Sequence, residues 1–206
     1  MSRLSPYKVK DLRKLVIDLP FKLCDKTSDE NYSKKFCFPK TYADDLKFLC
    51  EQYGTKLRFG GLRKRPYSNR YHYEHTWDKY GNCVGYESEI FLYVDERDKI
   101  LTSHEICTEF THELAHHLQH MILIQNRQKP SCEFKKRLEF ERVATRMAYF
   151  IYKQYFEHLF PDLTHRNFTS YRKKETVEWF RKWCGEVDPI FGKVSNKKGC
   201  IKCVKH

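Results

Sequence analysis

The stretch Phe110–His120, FTHELAHHLQH, decides how this chain is read, because it contains His112-Glu113-Leu114-Ala115-His116. In a helix, residues four apart share a face, so His112 and His116 can turn their imidazoles toward one ion while Glu113 flanks it. Neutral imidazole nitrogen suits zinc, and a carboxylate beside the ion can take a proton from activated water and later return it. Three specified residues also arise by chance on ordinary amphipathic helices. The surroundings must therefore supply support.

They do so in three ways. Ile106, Phe110, Leu114, Leu118 and Met121 recur at steps of three and four, which predicts a helix whose core face is distinct from its histidine face. Thr102 and Glu105 form a capping-box pattern at its expected start. A catalytic zinc site also needs a third protein ligand beside an open position. The extended pattern HExxHxxGxxH would put it at position 122, where the chain has Ile122. His117 points about 100° away from His116 around the helix and His120 lies one turn further on, so both suit supporting or surface roles better than ligation. Glu141 is the better candidate. It lies in LEFERVATRMAYF, a second strongly helical stretch that a turn near Gln128-Lys129-Pro130 would fold back across the first.

Together these stretches resemble the ImmA/IrrE family of zinc metallopeptidases, whose active-site helix reads close to F-x-HELGHxLxH and whose second helix carries E-x-x-A-N-x-F-A. Glu141 and Ala144 match the second pattern, while Thr145 stands for the usual Asn and Met147 for Phe. The resemblance runs from about Ile90 to Phe160. It implies a zincin-like α+β fold: a small mixed or antiparallel sheet packed on the active-site helix, with further C-terminal helices. It implies one catalytic Zn2+ held by His112, His116 and Glu141, with Glu113 as general base. The implied reaction is peptide-bond hydrolysis, with an intracellular protein such as a transcriptional regulator as substrate. In such folds the strand leading into the helix, here Cys83 to Val94, borders the cleft and pairs with an extended substrate. A donor to the developing oxyanion is also needed, for which His75, His104 and Tyr149 are candidates.

Two other readings use the same helix. A DNA-associated protease resembling the SprT group would take a histidine as third ligand, and His158 and His165 are the histidines downstream, with no complete zinc ribbon after them. A catalytically silent protein could instead keep the zincin scaffold for nucleic-acid binding or regulation.

At 206 residues the chain suits one domain. We assign 1–198 to it, with the core at 86–160, a helical and hairpin region at 1–85, and a cysteine-containing tail at 199–206. The net charge of +12 favours acidic or nucleic-acid partners. It is densest at Arg63-Lys64-Arg65 with Arg70, interleaved with Tyr67, Tyr71 and Tyr73. Such a mixture can hold phosphates and stack bases, or simply keep an edge strand solvated. No apolar run has membrane-spanning length and MSRLSPYKVKDLRK lacks the apolar core of a secretory signal, so an intracellular protein with no membrane partner is expected. Nine cysteines, odd in number and irregularly spaced, fit reduced thiols. Cys184, Cys200, Cys203 and His206 form a candidate second metal site without a full second knuckle; the alternative is a frayed tail with free thiols.

Local signals place the remaining elements. Ser5-Pro6 opens a helix through Leu19, and Thr41 caps another that Gly54 closes. Strands follow at Lys56–Phe59, at the alternating Tyr71, Tyr73, His75 and Trp77, and from Cys83 to Val94. Ser131 is the expected cap of the Glu141 helix, which runs to Pro161, and a third helix is expected from about Ser170 to Cys184.

Overall fold

The computed structural model describes residues 3–20, 22–23, 40–60, 70–80, 82–93, 95–96, 99–100, 102–131 and 134–168. The basic run Arg63-Lys64-Arg65, the expected helix after Ser170, and Cys184, Cys200, Cys203 and His206 lie outside these residues, as does the side chain of Arg70.

The longest helix among the described residues, α3 (Ser103–Gln125), is the one built from the HExxH stretch. Its start is the expected capping box: Thr102 Oγ1 accepts from the backbone N–H of Glu105, and the Glu105 carboxylate accepts from that of Thr102 at 2.9 Å. Two of the orphan donors at the helix start are thereby met. Ile106, Phe110, Leu114 and Leu118 are fully buried as the periodicity predicts. At the next turn Ile122 takes the core position, while Met121 is only half-buried. His117 and Gln119 are also fully buried, so α3 is enclosed on most of its circumference.

Two layers enclose it. On one side lies α4 (Phe134–Tyr155), whose Val143, Ala144, Met147, Ala148 and Ile151 are buried against the same core. On the other lies a three-stranded sheet of β1 (Lys56–Gly60), β2 (Arg70–Trp77) and β3 (Cys83–Tyr93), in the order β1-β3-β2. β1 runs parallel to β3, with Leu57 opposite Ile90; β2 runs antiparallel, with Tyr71 opposite Ile90 and Tyr73 opposite Ser88. Two-residue strands β4 (Asp95–Glu96) and β5 (Lys99–Ile100) lead from β3 into α3. The fold class is therefore α+β, with a small mixed sheet on the central helix, as expected.

Four local readings need correction. The Cys83–Val94 strand was expected to lend an edge to a peptide, yet β3 is the middle strand, with β2 paired along Cys83–Phe91 and β1 along Glu89–Tyr93. The parallel partner comes from residues distant in sequence, which no local pattern signals. The N-terminal helix shrinks to one turn, α1 (Val9–Leu12), followed by a 3-10 turn at Arg13–Leu15 and extended chain at Val16. Tertiary bonds take the place of helical ones: Ile17 N–H donates to Tyr53 Oη at 2.9 Å, and Ile17 O accepts from the Tyr155 hydroxyl. The second helix, α2 (Lys40–Gln52), already includes Thr41, so Thr41 is not its cap. The Glu141 helix, α4, ends at Tyr155, short of Pro161.

Gly54 does close α2, at φ +70°, a backbone region in which a side chain is strained. Cys50, Cys83 and Cys107 are free thiols, Cys50 and Cys107 deep in the core. No helix among the described residues is long and apolar enough to cross a membrane. Because Thr102 is exposed and caps the helix start, Thr102→Ala should lower unfolding free energy by about 1 kcal/mol. Equilibrium denaturation reads this directly, and an unshifted midpoint would show that the box contributes nothing.

Candidate metal centre

His112 and His116 stand one turn apart on α3, and Glu141 reaches them from the second turn of α4. His112 Nε2 and His116 Nε2 are 3.1 Å apart, and Glu141 Oε2 lies 3.3 Å from the first and 3.1 Å from the second. Donors about 2.0–2.1 Å from a tetrahedral ion are separated by about 3.3 Å, so these three atoms match one face of such a tetrahedron. The set can hold a metal ion. Two imidazoles and one carboxylate also form a donor chemistry suited to zinc. No other group of three or more His, Cys, Asp or Glu among the described residues is placed to hold an ion.

The surroundings hold the His116 ring on two sides. Phe140 stacks on its face, with centroids 5.5 Å apart and planes 15° from parallel, and Gln119 Oε1 lies 2.9 Å from its Nδ1. The His112 ring meets it edge-on, centroids 4.7 Å apart.

In the metal-free protein these groups compensate one another. Burial works against a charged His116, but the Glu141 charge and hydrogen bond, the Glu113 charge and Gln119 outweigh it, and the imidazolium is favoured up to about pH 9. Burial likewise opposes a charged Glu141, yet the charge on His116 and the hydrogen bonds from both histidines hold its carboxyl well below the usual range. Glu113 behaves differently. Burial pushes it up to about 7, with His112 and His116 pulling against that and Glu109 and Glu141 adding to it. A carboxyl poised there exchanges its proton near neutrality.

The neighbouring histidines turn to the sheet. His117 Nε2 lies 2.8 Å from the Tyr53 carbonyl, which only accepts, so Nε2 carries the proton. Nδ1 is then an acceptor, 3.2 Å from the Tyr71 hydroxyl and 3.3 Å from that of Tyr86; the two hydroxyls also bond each other, so one of them donates to the ring. His120 is buried with its ring against Tyr73, centroids 3.8 Å apart, and against the edge of Phe140. Neither is a surface residue. Both brace α3 against the sheet and α4.

Two expected oxyanion donors are elsewhere. His104 sits just over two turns before His112, about 12 Å along the axis, where it meets Asp162 at 3.0 Å and Phe160. Tyr149 sits two turns beyond Glu141 and packs on Tyr152, His165 and Phe168. Helical periodicity keeps each on its own helix but carries it away from the ligands. His75 lies in β2 opposite Tyr86, its side chain outside the described residues. His158 donates to Leu23 O at 2.7 Å and His165 packs on Tyr149, so neither histidine joins the triad. Gln119 and Phe140 were not anticipated, since a buried amide and a ring beside a ligand leave no periodic signal.

No family model, curated protein or solved structure matches the chain.

Two measurements follow from the geometry. Wild-type protein should carry one equivalent of divalent metal and Glu141→Ala none at stoichiometric concentration, as read by atomic absorption; equal loading would remove Glu141 from the centre. The second concerns His117, whose burial lowers it from 6.5 to about 4. Its contribution is complete above pH 6.5, where folded and unfolded rings are both neutral, and is lost as pH falls toward 4 because only the unfolded ring takes a proton. The loss is on the order of 3 kcal/mol. Glu113, raised rather than lowered, works in the opposite sense over pH 7 to 4.5. The informative quantity is therefore the unfolding free energy of metal-free wild type minus that of His117→Gln, which should shrink on acidification; a pH-independent difference would refute a neutral, buried His117.

Proposed function

We propose that this protein is a zinc-dependent endopeptidase of zincin-like fold, akin to the ImmA/IrrE family, acting on an intracellular regulatory or DNA-associated protein. The observation that carries the proposal is the meeting of His112 Nε2, His116 Nε2 and Glu141 Oε2 within 3.3 Å, with Glu113 buried beside them. A carboxylate, not a histidine, completes the set, which speaks against the SprT-like alternative.

Zinc bound there would act as a Lewis acid on the scissile carbonyl and lower the pKa of a water toward neutrality. The protein's own groups do the rest. His112, His116 and Glu141 would supply three donors to the ion. Glu113 takes the proton of the attacking water at its carboxylate and delivers it to the departing amine. Its tendency to hold a proton near neutrality suits both transfers. A bound cation would draw that carboxyl lower, toward the base form the first transfer needs.

Docking of the substrate as an added strand would use an outer strand where β3 carries a partner on each side, at Glu89–Phe91; among the described residues β1 and β2 are the outer strands. β2 is the one whose Tyr71 and Tyr73 approach the active helix, through His117 and His120.

Glu113→Gln should keep its zinc but lose hydrolysis of a fluorogenic peptide library by a factor of about 10²–10⁴, the scale of general-base catalysis. His116→Ala should lose both zinc and activity. Hydrolysis by Glu113→Gln at the wild-type rate would sink the mechanism. Salt-sensitive nucleic-acid binding without any peptide cleavage would favour the silent-scaffold alternative.

A further inference from the structure

Gln119 lies on α3 one turn beyond His116 and is fully buried. Its amide nitrogen is 3.0 Å from the carbonyl of Pro6 and 2.9 Å from that of Phe140. Both partners are acceptors only, so the NH2 group must face them and the amide oxygen must face the other way. That oxygen is 2.9 Å from His116 Nδ1. An oxygen cannot donate there, so Nδ1 carries a proton, and in the neutral ring the lone pair sits on Nε2. Nε2 is the nitrogen 3.1 Å from both His112 Nε2 and Glu141 Oε2.

We infer that Gln119 is a positioning residue of the metal centre, anchored by the carbonyls of Pro6 and Phe140 so that it holds His116 in the tautomer presenting Nε2 to a cation. The inference rests on the reading of the triad as a metal site and deepens it. One amide serves three parts of the chain. It orients the second ligand, grips the backbone of Phe140 directly before the third ligand, and draws in the N-terminal segment at Pro6. Tyr7 reinforces the last link by meeting the edge of the Phe140 ring, centroids 5.8 Å apart. The N-terminal residues are therefore part of the scaffold of the centre, although the HExxH pattern does not include them. Leucine at position 119 would fill much of the same volume yet lose all three hydrogen bonds, freeing the His116 ring to rotate or change tautomer.

The test uses the full chain and Zn2+ alone, with affinity read by competition against a chromophoric chelator. Gln119→Leu should bind zinc on the order of tenfold to a hundredfold more weakly. Asn126→Ala is the control: its bonds run to Arg3 and the Leu4 carbonyl, tethering the same segment to the end of α3 away from the ligands. That variant should be less stable with unchanged zinc affinity. Wild-type affinity in folded Gln119→Leu would overturn the inference, as would an equal affinity loss in Asn126→Ala. Should Gln119→Leu fail to fold, nitrogen-15 NMR of the wild-type His116 ring decides. The proton is expected on Nδ1, both with zinc and without it at alkaline pH where the ring is neutral; a proton on Nε2 overturns the assignment. A wild-type chain that binds no zinc yet keeps the proton on Nδ1 would remove the metal reading and support the tautomer, so the two failures are distinguishable.

Discussion

The structure depends on bringing a carboxylate from one helix against two imidazoles on another. Glu141 is four-fifths buried at its side chain, as are the rings it meets, and a charge in such surroundings survives only with a close partner. The packing of α4 on α3 supplies that partner. Apolar residues on the facing sides, Leu114 and Leu118 with Val143, Ala144 and Met147, bring the helices together in one buried core. The polar triad then occupies the part of this contact that hydrophobic side chains leave open.

Electrostatics gives the two carboxylates at the centre opposite characters. Glu141 is within reach of both rings and stays ionised, whereas Glu113, more deeply buried and without such direct bonds to them, is pushed toward its neutral form. Separation of this kind between neighbouring acids is how one site provides both a permanent negative charge and a proton carrier. It requires that α3 not rotate. A turn of the helix by one residue, about 100°, would put His117 in the direction that His116 now faces. Rotation is opposed on the sheet side by His117, whose two ring nitrogens are occupied by the Tyr53 carbonyl and by tyrosine hydroxyls from β2 and β3, and on the α4 side by the amide of Gln119.

Residues close in sequence carried most of what could be read without coordinates. The capping box at Thr102, the apolar stripe from Ile106 to Leu118, the stop at Gly54 and the alternation in β2 are interactions within one or two turns or along one strand, so their pattern is their structure. The histidine pair belongs to this class, since the helical repeat alone sets it on one face. The reach of Glu141 was legible in a weaker sense: a second helix folding back was foreseeable, and the register that brings its carboxylate to 3.1 Å is a property of packing.

Long-range pairing accounts for what remained hidden. β1 lies beside β3 through bonds between residues more than thirty apart, and the helix after Pro6 gives way because Tyr53 and Tyr155 offer the Ile17 backbone better partners. His104 and Tyr149 have suitable chemistry but stand two turns from the triad, where helix geometry takes them. The chain's own letters thus settled the helix, its cap, its core face and its two imidazoles, all consequences of a 3.6-residue repeat. Folding in three dimensions settled which carboxylate meets them, which strand is central and which amide orients His116, because each depends on groups that only close packing makes neighbours.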